Sequence, residues 1–178
     1  ASPSTAQRWI DVLSSDFEQD MLQYLFKCNS VQLPPSGDAQ LIQASLEHQD
    51  LVRHFALGFI QACFPNHPQI EDSVNHAISK IDQGDIYLWQ TPQGDYVSMA
   101  AQVRETQSTA SISWVYTPSH HRGKGYGSKV TAYLTQHLLN QKYIYCNLFT
   151  DASNPTSNSI YQKIGYVKIA EHAIYQRV

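Results

Sequence analysis

A chain of 178 residues with 42% hydrophobic and 15% charged residues can bury a sizeable core as one domain and is too apolar for global disorder. Its three cysteines (Cys28, Cys63, Cys146) are widely spaced with no Cys-x-x-Cys pair, which indicates neither a zinc site nor a disulfide framework and points to a reduced, cytoplasmic chain. The net charge of −3 hides an asymmetry: residues 1–90 carry 4 Lys and Arg against 11 Asp and Glu, and residues 91–178 carry 8 against 4, so the second half suits a polyanionic ligand.

The first residues, Ala-Ser-Pro-Ser-Thr, have no apolar h-region and no Met, as expected of a processed, tagged or truncated chain rather than a signal peptide. No apolar run approaches the roughly 18 residues of a membrane span, and no basic stripe interleaved with aromatics suggests nucleic acid. From Asp16, the spacing of Phe17, Met21, Tyr24, Leu25 and Cys28 predicts a helix, ended by a loop over 29–38 with Pro34, Pro35 and Gly37. Residues 40–47 read as a short strand. Asp50 is placed to N-cap a helix with Val52, Phe55, Ala56, Phe59, Ile60 and Cys63 on its apolar face, broken by Pro65 and Pro68. A second helix covers 71–81.

Residues 86–90 and 96–104 then read as a hairpin around Thr91-Pro92-Gln93-Gly94-Asp95, and 110–117 as a third strand. A glycine-rich turn leads into a helix over 129–141. Residues 143–150 form a strand apolar enough to be central. Asn154-Pro155-Thr156 opens a helix to about Lys163 that Gly165 stops, and 166–170 and 173–177 are the last strands. From residue 40 the order βααβββαβαββ predicts an α/β (α+β) sandwich with a mixed, mostly antiparallel sheet.

The turn reads Arg122-Gly123-Lys124-Gly125-Tyr126-Gly127-Ser128. Three alternating glycines ahead of a helix expose backbone N–H groups at the positive end of the helix dipole, an anion cradle suited to phosphate. Arg122, Lys124 and Lys129 add full charges. A P-loop would require Gly-Lys-Ser/Thr, but Gly127 is followed by Ser128-Lys129, the reverse order. For the dinucleotide fingerprint the glycines fall one residue short, and the acidic residue expected about 20 positions on is missing. Arg/Gln-x-x-Gly-x-Gly/Ala fits, from Arg122 to Gly127.

With the segment Asn154-Pro155-Thr156-Ser157-Asn158-Ser159-Ile160-Tyr161-Gln162-Lys163-Ile164-Gly165-Tyr166, the chain resembles the GCN5-related N-acetyltransferase (GNAT) superfamily. The turn resembles its pyrophosphate loop, the second segment its Asn…Leu-Tyr-x-x-x-Gly-Phe run, and residues 111–117 stand where its fourth strand belongs. The resemblance covers 39–178 and leaves 1–38 as an N-terminal helical extension: an extra helix, a dimer element or the stub of a longer chain. It implies fourth and fifth strands that splay apart around the pantetheine of acetyl-CoA, and no metal.

By that resemblance the backbone from Arg122 through Gly123, Lys124, Gly125, Tyr126 and Gly127 to Ser128 holds the pyrophosphate. Val115, Tyr116 and Thr117 pair with pantetheine, and an N–H near Val115 polarises the thioester carbonyl. Asn154 and Asn158 are implied to contact the cofactor, and Tyr161 to protonate the departing thiolate; as helix residues they also have ordinary structural readings. Many relatives carry a Glu base where this chain has Ser111, which leaves Glu105, His120 or its neighbour His121 beside the turn, or a water chain, to take the amine proton. The implied reaction is direct acetyl transfer to a primary amine in a ternary complex. The alternative is a non-catalytic acyl-CoA-binding module. The acidic bias of Asp50, Glu71, Asp72, Asp82 and Asp85 hints at a cationic acceptor.

Overall fold

A computed structural model of the chain describes residues 2–13, 17–64 and 68–177. A helix α1 (Pro3–Leu13) precedes strands β1 (Phe17–Cys28) and β2 (Gln40–Gln43). Helices α2 (Gln49–Cys63) and α3 (Ile70–Asp82) follow, then a meander of β3 (Ile86–Gln90), β4 (Tyr96–Glu105) and β5 (Thr109–Tyr116). The chain closes with α4 (Tyr126–Gln141), β6 (Tyr145–Asp151), α5 (Pro155–Lys163) and β7 (Val167–Arg177). The strands form one seven-stranded sheet in the order β2-β3-β4-β5-β6-β1-β7. Every neighbouring pair is antiparallel except β5 and β6.

Alternation along the strands buries both faces. On one face Ile86, Leu88 and Met99 pack with Val52, Phe55 and Ile60 of α2 and Val74 of α3. On the other, Tyr87, Trp89 and Ala100 pack with Leu134 and Leu138 of α4. The near-continuous apolar run of β3 follows from this two-sided cover.

The helix expected over 17–28 is instead strand β1, paired with β6 on one side and β7 on the other. Its apolar residues fit helical spacing, but Leu22, Tyr24, Phe26 and Cys28 also alternate. Of these, Phe26 and Cys28 are fully buried, facing α4 and α5. Two ladders of backbone hydrogen bonds outweigh the local helical pattern. The sheet therefore runs across position 38, with β1 on one side of it and the other strands on the other. Strand β2 is shorter than expected and gives way to a 3-10 turn over Leu46–His48. Asp50 does not cap α2, which begins at Gln49, but its carboxylate in the first turn complements the helix dipole. The two final strands are one, β7, with register shifts against β1. Gly165 does stop α5: it has φ +102°, and a Cβ there would lie 2.6 Å from the Ser30 carbonyl oxygen. The helix start expected at Asp16 and the helix break expected at Pro65 lie outside the described residues.

Phe26→Ala tests the placement of β1. Truncating a fully buried central-strand Phe lowers unfolding free energy by about 3–5 kcal/mol in urea denaturation. A helix appended outside the sheet would lose under about 1 kcal/mol.

Candidate functional site

The parallel ladder between β5 and β6 is short. Thr109 pairs with Tyr145, Ala110 with Cys146 and Ser111 with Asn147, and there the pairing ends. Beyond it the strands diverge, as expected of the splayed pair. A bulge on β5 accompanies the divergence. Met99 faces Tyr116 and Ala101 faces Ser113, so Trp114 and Val115 oppose the single residue Ala100. Trp114 has φ +55°. This left-handed conformation costs a bulky residue about 1–2 kcal/mol, which the packing around it offsets. Its ring lies 5.0 Å from that of Phe59 on α2. The Tyr116 ring lies 6.0 Å from Phe55, with its hydroxyl over Gly58, where a Cβ would collide with it. Buried Ser98 donates to the Tyr116 carbonyl at 2.9 Å and meets the Thr117 hydroxyl at 2.9 Å, fixing the end of β5.

The glycine-rich turn follows at once. Gly123 (φ +78°) and Gly125 (φ +76°) occupy left-handed conformations that an L-residue resists, and Gly125 is the N-cap of α4. The first helical bond runs from the Lys129 N–H to the Gly125 carbonyl at 3.0 Å. Among the described residues, the N–H groups of Gly123 to Ser128 have no backbone acceptor. Arg122 folds back, its Nε donating to the Thr117 carbonyl at 3.0 Å, with the guanidinium 5.9 Å from the Tyr116 ring centroid.

From the opposite lip, Asn154 caps α5 by accepting the Ser157 N–H at 3.0 Å. Tyr161 is buried, its ring 6.4 Å from Phe26 and 6.0 Å from Tyr166. Burial pushes its phenol well above the usual tyrosine range, and its hydroxyl makes no hydrogen bond to any described residue. Asn158 is placed differently from the expectation. Its Oδ1 accepts from the Thr150 hydroxyl, and its Nδ2 donates to the Asp151 and Ala152 carbonyls at 3.3 Å each. These bonds tie α5 to the end of β6, and Asn158 does not line the gap.

The gap has two joined halves. A cavity of about 680 Å³ is lined by the turn, by Val115, Tyr116 and Thr117, and by Asn154 and Tyr161. A second, of about 430 Å³, extends between β5 and β6 past Trp114 and Leu148. Tyr161, Val115, Asn154 and the α2 residues Phe59 and Cys63 line both, so they form the seam. The expected residues Arg122, Gly123, Gly125, Tyr126, Gly127 and Ser128 face the first half; Lys124 does not.

Sequence reasoning missed Phe59, Cys63, Arg104 and Asp151. The first two sat on a helix read only for its core-facing pattern. Asp151 ends a strand three residues before the capping Asn154, a position that could have flagged it. The Cys63 thiol is pushed up by partial burial and then by the Asp151 carboxylate, so it stays protonated near neutrality. Of the side chains suggested as base, His121 lines the first half of the gap and the other two do not. Glu105 accepts from the Tyr143 hydroxyl and pairs with Lys142 at 3.3 Å, away from both cavities, and His120 lies outside the lining. The Ser111 hydroxyl is engaged with Asn147 Oδ1 at 2.7 Å. The acidic residues behind the expectation of a cationic acceptor also lie elsewhere: Glu71 pairs with Arg53 at 3.3 Å and Asp85 with Lys80 at 3.1 Å, and Asp50, Asp72 and Asp82 line neither half.

Residues 91–175 match the family model described as FR47-like protein, a stretch that runs from the turn after β3 through the glycine-rich turn and the Tyr161 helix. Solved structures share the whole fold. An acetyltransferase of the GNAT family from Colwellia psychrerythraea aligns with a TM-score of 0.70 at 15% identity, over 99% of this chain and 63% of its own. GCN5-related N-acetyltransferases from Kribbella flavida (TM-score 0.67, 20% identity, 97% and 63%) and Sphaerobacter thermophilus (0.68, 16%, 99% and 57%) are similar. The chain spans about six-tenths of the length of these structures. No curated protein matches it by sequence. The fold is that of the GNAT acetyltransferases, and the FR47-like segment carries both motifs that the sequence singled out.

Asn158→Ala separates scaffold from cofactor contact. Loss of its three bonds lowers stability by about 1–3 kcal/mol in chemical denaturation while calorimetric acetyl-CoA affinity stays within about threefold. An affinity loss with unchanged stability would return Asn158 to the cofactor.

Proposed function

We propose that the protein is an acyl-CoA-dependent N-acyltransferase that moves acetyl from acetyl-CoA to a primary amine by direct attack. The observation that carries this reading is the place of Tyr161, at the seam between a cavity floored by a phosphate-type turn and a second cavity open to another substrate. The N–H groups of Gly123 to Ser128 and the α4 dipole receive the pyrophosphate. The open edge of β5 at Val115 to Thr117 receives pantetheine, as in strand addition. The bulge frees backbone near Val115 from the ladder, and an N–H there stabilises charge building on the thioester oxygen.

The amine nitrogen bonds to the acyl carbon as the carbon–sulfur bond breaks. Tyr161 gives its hydroxyl proton to the departing sulfur, and the proton shed by the amine leaves to solvent, from which Tyr161 is recharged. A phenol held above its ordinary value is fully protonated at neutral pH and donates without tuning. Cys63, kept as a thiol, is a poor nucleophile there, which favours direct transfer over an acyl-enzyme. The same reading includes a reducing, cytoplasmic setting, with Cys28, Cys63 and Cys146 all free.

Two substitutions test it. Gly125→Asp strains a left-handed N-cap and sets a carboxylate where the pyrophosphate binds, so calorimetry should show acetyl-CoA affinity reduced at least about 100-fold. Unchanged affinity would refute the turn as the phosphate site. Tyr161→Phe lowers kcat about 100-fold at unchanged acetyl-CoA affinity. The sign of the pH effect follows from the raised phenol: the wild-type rate rises as the amine loses its proton and shows no alkaline fall through the ordinary tyrosine range near pH 10. A fall centred below that range would remove Tyr161 from the acid role.

A further inference from the structure

The second half of the gap, about 430 Å³, combines aromatic walls with a small charged set. Phe59, Trp114 and Phe149 supply the walls; Arg104 and Asp151 supply the charges. Arg104 is on β4, with Ser111 as its Cα partner on β5. Ser111 is also the last β5 residue paired with β6, so Arg104 stands where the two strands part. Of the Lys and Arg side chains in residues 91–178, Arg104 alone lines this half of the gap among the described residues, while Lys142 is held by Glu105 at 3.3 Å, Lys168 by Glu171 at 2.8 Å and Arg122 by the Thr117 carbonyl. The Arg104 guanidinium has no hydrogen bond or ion pair to any described residue. A guanidinium cannot shed its charge at any ordinary pH, and its planar fork matches a carboxylate bidentately.

Asp151 ends β6 on the other side of the same gap. Its Oδ1 accepts from the Ser153 N–H at 2.8 Å and the Ser153 hydroxyl at 2.7 Å, while Oδ2 has no hydrogen-bond partner among the described residues. Asp151 lines this half of the gap together with the seam residues Cys63, Asn154 and Tyr161. The gap thus has a negative group near the reaction centre and a spare positive group on β4, with apolar walls between them.

We infer that the acceptor is a small amine that itself carries a carboxylate, an amino acid or close analogue, with Arg104 holding the carboxylate and Asp151 orienting the amine toward the seam. This rests on the N-acyltransferase reading and names its second substrate. It replaces the cationic acceptor suggested by the acidic residues of the first half, which do not reach the gap. Arg104 is a specificity-determining residue: it binds the part of the acceptor that does not react, so its loss appears in KM more than in kcat.

The test uses matched pairs that differ only by a carboxylate: phenylalanine and phenethylamine, leucine and isoamylamine, glycine and methylamine. CoA release is followed with acetyl-CoA saturating, and rates are expressed per unprotonated amine. In the wild type the carboxylate-bearing member of at least one pair leads by about 10- to 100-fold in kcat/KM. Arg104→Gln abolishes that lead through KM, Arg104→Lys keeps part of it, and both variants bind acetyl-CoA as the wild type does. Equal or better turnover of the bare amines by the wild type, or a lead that survives Arg104→Gln, overturns the inference while leaving N-acyl transfer intact. If no amine of any kind releases CoA, the acyltransfer reading falls. Calorimetry of phenylalanine, leucine and glycine with the CoA-saturated protein then decides the rest: binding lost in Arg104→Gln supports the carboxylate site, and no binding overturns it.

Discussion

The structure depends on a ladder that stops. Strands β5 and β6 hold together over three residue pairs and no more, and everything that resembles a site lies in the wedge beyond. A parallel pair that ran its full length would satisfy its backbone groups internally and leave no room between the strands. The bulge at Trp114 and Val115 prevents this: an extra residue on β5 turns the strand away and releases backbone from pairing. The left-handed Trp114 is tolerated because its ring is anchored on Phe59. The strain and the aromatic packing therefore belong to one device, which keeps the wedge open.

Both lips of the wedge are held by buried polar bonds rather than by apolar packing alone. Ser98 pins the end of β5 through Tyr116 and Thr117, and Asn158 pins α5 to the end of β6. Thr150, nearly buried, completes the second anchor. Such bonds are directional and costly to leave unmade, so they fix the width of the gap in a way that interchangeable aliphatic contacts would not. Tyr161 benefits from both anchors. It rests on Phe26 of β1 and lines both halves of the gap, its hydroxyl without a hydrogen bond to any described residue.

The legible parts of the chain were those where one local rule decides. The glycine spacing from Gly123 to Gly127 announces a turn before a helix, Asn154-Pro155 a helix start and Gly165 a helix end, and the structure has each of them there. The hairpin of β3 and β4 was equally plain. Residues 17–28 misled because their apolar positions satisfy helical and strand periods at once, and only the partners β6 and β7, more than a hundred residues away, settle the choice. Asn158 shows a different limit. Its spacing in the motif places it one turn after Asn154, but the side chain follows the nearest unsatisfied carbonyls, those of Asp151 and Ala152.

The same distinction explains why one half of the gap was foreseeable and the other was not. The turn side is built from backbone N–H groups, whose availability is written in glycine spacing and helix position. The other side is built from side chains on β4, β5, β6 and α2, brought together by sheet order alone. Arg104 and Asp151 lie 47 positions apart, and neither sits in a pattern of its own. What singles out Arg104 is that it lines the gap while its guanidinium has no partner among the described residues, a property of the assembled fold and of no segment within it. A site made of main chain is shared by every chain that folds this way, whereas a site made of side chains is free to differ. Under the proposed function, the constant cosubstrate falls to the first kind of site and the choice of acceptor to the second.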